Sequence, residues 1–150
     1  MFRTSDVRQR GMVLAVFGGI VLIGGLGCSK EPFTMIPVSG KVTYEDGSVI
    51  PAKQIRVEFV PQVEMVNAAT HPRPGMTYLN VADGTFASVT SHKADDGLVV
   101  GKHKVVVVSL DERENQTNAV PKSYAAPDTT PLEIEVNGET KSLELKVKKP

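Results

Sequence analysis

Between Val38 and Val147 the chain falls into short runs that alternate apolar and polar side chains, most of them closed by a turn signal. This pattern constrains the fold more than any other feature. Val38–Tyr44 places Val38, Val42 and Tyr44 on one face and Ser39, Lys41 and Thr43 on the other, the period-2 signature of a half-buried strand. Gln54–Phe59, Met76–Val81, Thr85–Thr90, Lys104–Leu110, Leu132–Val136 and Leu143–Val147 read the same way, with a short apolar run at Leu98–Val100. Asp46-Gly47, Asp83-Gly84, Asp96-Gly97 and Asn137-Gly138 supply turns, because glycine enters left-handed backbone without steric cost. Pro61 is expected to end the second run, since it has no N–H to give a ladder. From Cys28 onward there are 18 valines against six leucines, which favours pleated packing over helix. Seven short strands separated by turns predict an all-β sandwich. The four consecutive valines Val105–Val108 predict a central strand covered on both faces. Residues 111–118 (DERENQTN) read as a solvated loop, followed by an ordered, irregular connection to residue 131.

The first 27 residues are of another kind. Arg3, Arg8 and Arg10 stand against one acid, Asp6, and residues 11–29 carry no charge. Met12–Leu26 (MVLAVFGGIVLIGGL) is wholly apolar apart from its glycines. A basic start, an apolar stretch and then small residues form the secretory signal pattern. The 17 basic and 17 acidic residues of the whole chain therefore divide unevenly. The part from Cys28 onward holds 14 basic and 16 acidic residues, formally −2. Such a balance argues against a nucleic-acid partner, which calls for a basic surplus. The single cysteine excludes an internal disulfide framework and a zinc site built on several thiolates.

That cysteine sits where the apolar run ends, in Ile23-Gly24-Gly25-Leu26-Gly27-Cys28-Ser29-Lys30. The segment resembles the lipobox of bacterial lipoproteins. Gly27 is the small residue wanted before the cysteine, and Leu26 stands one position closer than the aliphatic residue usual there. The resemblance implies a diacylglyceryl group on the Cys28 thiol, cleavage before Cys28 and acylation of the new amino group. Stable anchoring needs two or more acyl chains, each buried methylene adding about 0.8 kcal/mol, and this maturation supplies them at one residue. The expected division is a signal peptide over 1–27, a lipidated tether over 28–37 and a sandwich domain over 38–150. An alternative is an uncleaved single-pass membrane protein: 19 uncharged residues approach the ~20 needed to span a bilayer. Both readings export the remaining chain.

The exported part resembles carboxypeptidase-regulatory-like domains, which have a transthyretin-like (prealbumin-like) sandwich. The likeness rests on Val38–Tyr44 with its Asp-Gly turn, on Ile55–Phe59 and on Asp83-Gly84-Thr85-Phe86. It continues in Gly101-Lys102-His103-Lys104-Val105-Val106-Val107, with His103 where tyrosine is usual, and in Val120–Tyr124 and Thr129–Leu132. It covers nearly all of residues 38–148 and implies a fold and an envelope address, with no catalytic residue to carry over.

Chemical sites are sparse. The residues three after His71, His92 and His103 are Pro74, Asp95 and Val106, so no His-x-x-Glu zinc pattern occurs. HExxH, G-x-S-x-G and P-loop patterns are missing too. His92 with Asp95 and Asp96 is the one candidate cation cluster, although Asp96-Gly97 also reads as a turn. Phe59 and Phe86 are expected in the core; Phe33, Tyr78 and Tyr124 are candidate exposed contacts, with Tyr124 better suited to pinning a loop. The sequence therefore offers no catalytic, metal or cofactor residue, and Cys28 is the expected lipidation site. The expected function is a non-enzymatic envelope lipoprotein anchored to the cell membrane or outer membrane, acting as a binding or structural module. Its expected partner is another envelope protein, met along a sheet edge or through residues 111–131. A small hydrolase or metal-dependent enzyme on the same sandwich is the alternative. The sequence leaves the oligomeric state open.

Overall fold

The computed structural model describes residues 33–63 and 71–150. They form nine strands and one 3₁₀ turn, with no α-helix among them. In chain order the strands are β1 (Met35–Ile36), β2 (Ser39–Tyr44), β3 (Gln54–Pro61), β4 (Gly75–Tyr78), β5 (Thr85–Phe86), β6 (Leu98–Val99), β7 (Gly101–Leu110), β8 (Glu133–Val136) and β9 (Ser142–Val147). The turn, Lys122–Ala125, lies between β7 and β8. A four-stranded sheet runs β4-β3-β7-β8, a three-stranded sheet runs β5-β2-β9, and β1 pairs with β6 alone.

The four-stranded sheet is antiparallel throughout, with β3 and β7 matched from Gln54↔Leu110 to Pro61↔His103. In the smaller sheet β2 runs antiparallel to β5 and parallel to β9, from Ser39↔Ser142 to Tyr44↔Val147. The two sheets share one core. Val57, Phe59, Val105 and Val107 of the larger sheet cluster with Val42, Phe86, Leu143 and Leu145 of the smaller. Phe59 and Phe86 meet across it with ring centroids 6.0 Å apart. As expected for a strand covered on both faces, Val106, Val108 and Leu110 are buried on the opposite side of β7, against Val60 and Ala125. The 3₁₀ turn thus acts as a patch over the outer face of the larger sheet.

The structure departs from the sequence pattern in three places. Pro61 belongs to β3 rather than ending it, and Gln62 N–H still donates to Lys102 O at 2.8 Å. By the alternation of the ladder, the missing N–H of Pro61 faces the β4 side, beyond the last pair, Phe59↔Gly75. No ladder bond is lost there. Of the run expected at Thr85–Thr90 only Thr85 and Phe86 pair with β2, while Thr90 makes an isolated bridge to Met76. The folded part also begins before Val38, because Met35 and Ile36, expected in the tether, pair with Val99 and Leu98.

Gly40 makes the parallel closure of β2 on β9 possible. A Cβ there would lie 2.3 Å from the Leu143 carbonyl oxygen and 2.7 Å from the Phe86 ring. Both neighbours are fixed, one by backbone and the other by the core. Gly40→Ala should therefore cost about 3 kcal/mol or more. Gly138→Ala, with nothing within 4 Å of the added carbon, should stay within about 0.5 kcal/mol. Urea unfolding of the two variants checks the contrast.

Candidate interaction surface

Cys28, the expected lipidation site, lies outside the described residues. No helix of the described residues is long and apolar enough to cross a membrane.

The candidate cation cluster resolves into turn geometry. Asp96 accepts backbone N–H bonds from Ser91 (2.9 Å), His92 (3.0 Å) and Lys93 (2.9 Å), which fixes the loop before β6. Asp95 sits in left-handed backbone at φ 58° and accepts from the Ser88 hydroxyl. Gly97, at φ 93°, leaves its missing Cβ where the Ile36 carbonyl passes. His92 Nε2 accepts the Arg73 backbone N–H at 3.3 Å, and its ring stacks on Phe33 at 5.6 Å. The imidazole lone pair is thus directed at the backbone. Among the described residues no group of three or more His, Cys, Asp or Glu side chains is placed to hold a metal ion.

His103 is fully buried in β7. Its Nδ1 donates to the Gly101 carbonyl at 3.1 Å, while Nε2 is buried without a partner among the described residues. Burial pushes this histidine below its ordinary value of 6.5, with the Gly101 bond opposing in part. The run read from the sequence begins at Lys104, whereas β7 begins at Gly101 and takes His103 into the core.

The surface that remains is made of sheet edges and the connection 111–131. That connection is tied down along its length. Asp111 accepts from Asn115 N–H (2.9 Å), the Asn115 side-chain amide (3.1 Å) and Arg113 N–H (2.8 Å), bonds that hold its carboxyl below the ordinary 3.8. Tyr44 OH donates to Ala119 O at 2.6 Å, and Thr130 Oγ1 donates to Val105 O at 2.6 Å. Tyr124, a candidate exposed contact, is buried instead, and its hydroxyl accepts Lys148 N–H at 3.1 Å. It pins the connection to the end of β9, as the loop-pinning reading has it. Tyr78 is exposed on β4, and Phe59 and Phe86 lie in the core, as expected.

The four outer strands differ in how their edges are protected. β4 is bridged through Met76, which exchanges N–H···O bonds with Thr90 at 2.8 and 3.0 Å. β5 is two residues long, and its Thr85 carbonyl is taken by Asn80 N–H at 2.8 Å. β8 carries Glu133 and Glu135, both exposed, with Glu133 paired to Lys104 at 3.1 Å. β9 is the long edge: Ser142, Glu144 and Lys146 are exposed and alternate with buried Leu143, Leu145 and Val147. The sequence showed this alternation, and the topology places β9 at the end of its sheet. No family model matches the chain, and no curated protein or solved structure matches it either.

The buried imidazole makes a pH prediction. The unfolded chain takes up a proton near pH 6.5, whereas the folded chain resists it to lower pH. The unfolded state then binds more protons, so stability is whole above pH 6.5 and declines as the pH falls below it. Carboxylate losses come lower, because Asp46, Asp83 and Asp111 are held below 3.8 by hydrogen bonds. Urea midpoints of the native chain should fall from pH 7 to pH 5, and His103→Phe should flatten that slope. An equal slope in both proteins would remove His103 as its source.

Proposed function

We propose that this chain is a membrane-anchored envelope lipoprotein whose exported β-sandwich is a non-enzymatic binding or structural module. The observation that carries the reading is the position of the only cysteine, Cys28, directly after 17 uncharged residues that follow a basic start. Lipid on Cys28 would hold the domain at the membrane, and only six residues separate Cys28 from the first strand, Met35–Ile36. The domain would then work close to the bilayer, meeting its partner along a sheet edge.

The polar side chains that sequence offered for chemistry support a module rather than a reaction centre. Asp95, Asp96 and His92 are engaged in fixing one loop. His103 is sealed in the core. A nucleophile, a base and an orienting group within reach of one another are what a hydrolase needs, and these residues are spent elsewhere. The carboxypeptidase-regulatory-like, transthyretin-like identity is part of the same proposal. It is supported by seven of the nine strands forming two larger sheets around one core.

The N-terminal peptide tests the anchor. Mass spectrometry of the membrane-extracted protein should give an acylated peptide beginning at Cys28. An unmodified chain beginning at Met1 would contradict lipidation and favour the uncleaved anchor. Cys28→Ala should abolish acylation and block cleavage in the lipoprotein case, leaving a chain that still begins at Met1, and change neither in the anchor case.

A further inference from the structure

We infer that the open edge of β9 is a self-association site, where two copies pair antiparallel about a two-fold axis at Leu145. The inference rests on the sheet-edge reading above and names the partner as a second copy of this chain.

The backbone sets which residues can pair. Val147 O accepts Glu45 N–H at 3.0 Å and Lys141 O accepts Ser39 N–H at 3.1 Å, so the odd-numbered residues of β9 turn their N–H and C=O toward β2. Ser142, Glu144 and Lys146 turn theirs to the open side. The same alternation directs Lys148 N–H outward, where it donates to Tyr124 OH. That bond marks the end of the free ladder.

The side chains then favour one register. With the axis at Leu145, Glu144 lies opposite the partner's Lys146, and Lys146 opposite the partner's Glu144. Both are outward-bonding positions, so each pair exchanges two N–H···O=C bonds and sets opposite charges face to face. An axis at Glu144 sets glutamate against glutamate, and an axis at Lys146 sets lysine against lysine. A slip of one residue turns outward backbone groups against inward ones, and the ladder is lost. The charges are available for this use. Glu144 makes no ion pair among the described residues, and Lys146 donates only to the neutral Thr43 hydroxyl, at 2.8 Å.

The opposite sheet shows the contrast. Val105 N–H donates to Leu132 O at 3.0 Å, so the outward residues of β8 are Glu133 and Glu135. Any closed antiparallel pairing of β8 with itself confronts glutamates, a common defence of an edge strand. β9 has alternating charge in place of that defence. Its contact is isologous, so it closes at two copies. The ladder is short, so association in dilute solution is weak, and tethering both copies to one membrane would raise their effective concentration.

Sedimentation of the full chain in density-matched detergent, over a concentration series, provides the test. The native protein should show a reversible monomer–dimer equilibrium. Glu144→Lys and Lys146→Glu each place like charges across the axis and should weaken it about tenfold or more. The double variant Glu144→Lys with Lys146→Glu should restore it, because the swap recreates both pairs. Both side chains are exposed, so thermal unfolding should confirm an unchanged fold in all three variants. Failure of the double variant to restore the dimer overturns the pairing. Species that grow past dimer overturn it too, since they report a head-to-tail contact. A monomer at every concentration that still binds another purified envelope protein, with Glu144→Lys weakening the binding, overturns self-association and leaves the sheet-edge reading standing. A monomer that binds none overturns both.

Discussion

The parallel pairing of β2 with β9 holds the domain together and decides what its surface can do. It joins the first long strand to the last, over a register that runs from Ser39↔Ser142 to Tyr44↔Val147. Residues about 100 positions apart must meet before either strand is secured, so the closure is a non-local, entropically costly step. Its benefit is the core beneath it, where Val42, Leu143, Leu145 and Val147 are removed from water against Phe59 and Val57. Polar contacts lock the same seam from outside: Lys146 on Thr43, and Lys149 on Asp46 at 2.5 Å. The Lys149 contact and the Ser48 bonds hold the Asp46 carboxyl well below the ordinary carboxylate value. Both groups are about half exposed, so this contact guides register more than it stabilises the fold.

The opposite sheet is built around β7, a strand packed on two sides. Val105 and Val107 face the shared core while Val106, Val108 and Leu110 face outward beneath the Lys122–Ala125 turn. The connection after β7 therefore serves as a lid for hydrophobic surface rather than as a free loop. The same burial explains His103. A strand covered on both sides leaves an inward-facing imidazole no solvent, and its one bond to the Gly101 carbonyl does not offset the cost of charging it.

The strands were legible because their signals are local. Alternation at Gln54–Phe59 and Leu143–Val147 gives burial by parity, and Asp46-Gly47 and Asp83-Gly84 mark their turns by the positive φ of glycine. The four-valine run disclosed a two-faced strand for the same reason. Neighbours in space were not legible. Pro61 remains in its strand because its nitrogen faces past the end of β4, and Met35–Ile36 become a strand because Leu98–Val99 lie beside them. The acidic cluster at 92–96 was visible as residues, but its use in fixing a turn depends on which backbone N–H groups surround Asp96. The candidate surface was the least legible of all. The charges of Glu144 and Lys146 acquire meaning only because β9 lies at a sheet edge and its even-numbered backbone groups face outward.

The openness of β9 is most directly tested by native-state amide hydrogen exchange of the full chain at low and high protein concentration. The amides of Glu144 and Lys146 should exchange rapidly when dilute and become protected as concentration rises. Those of Glu133 and Glu135 on the guarded edge should remain fast throughout. Protection of Glu144 and Lys146 that is already complete in dilute monomer, or that never changes with concentration, would contradict an open, self-complementary β9 edge.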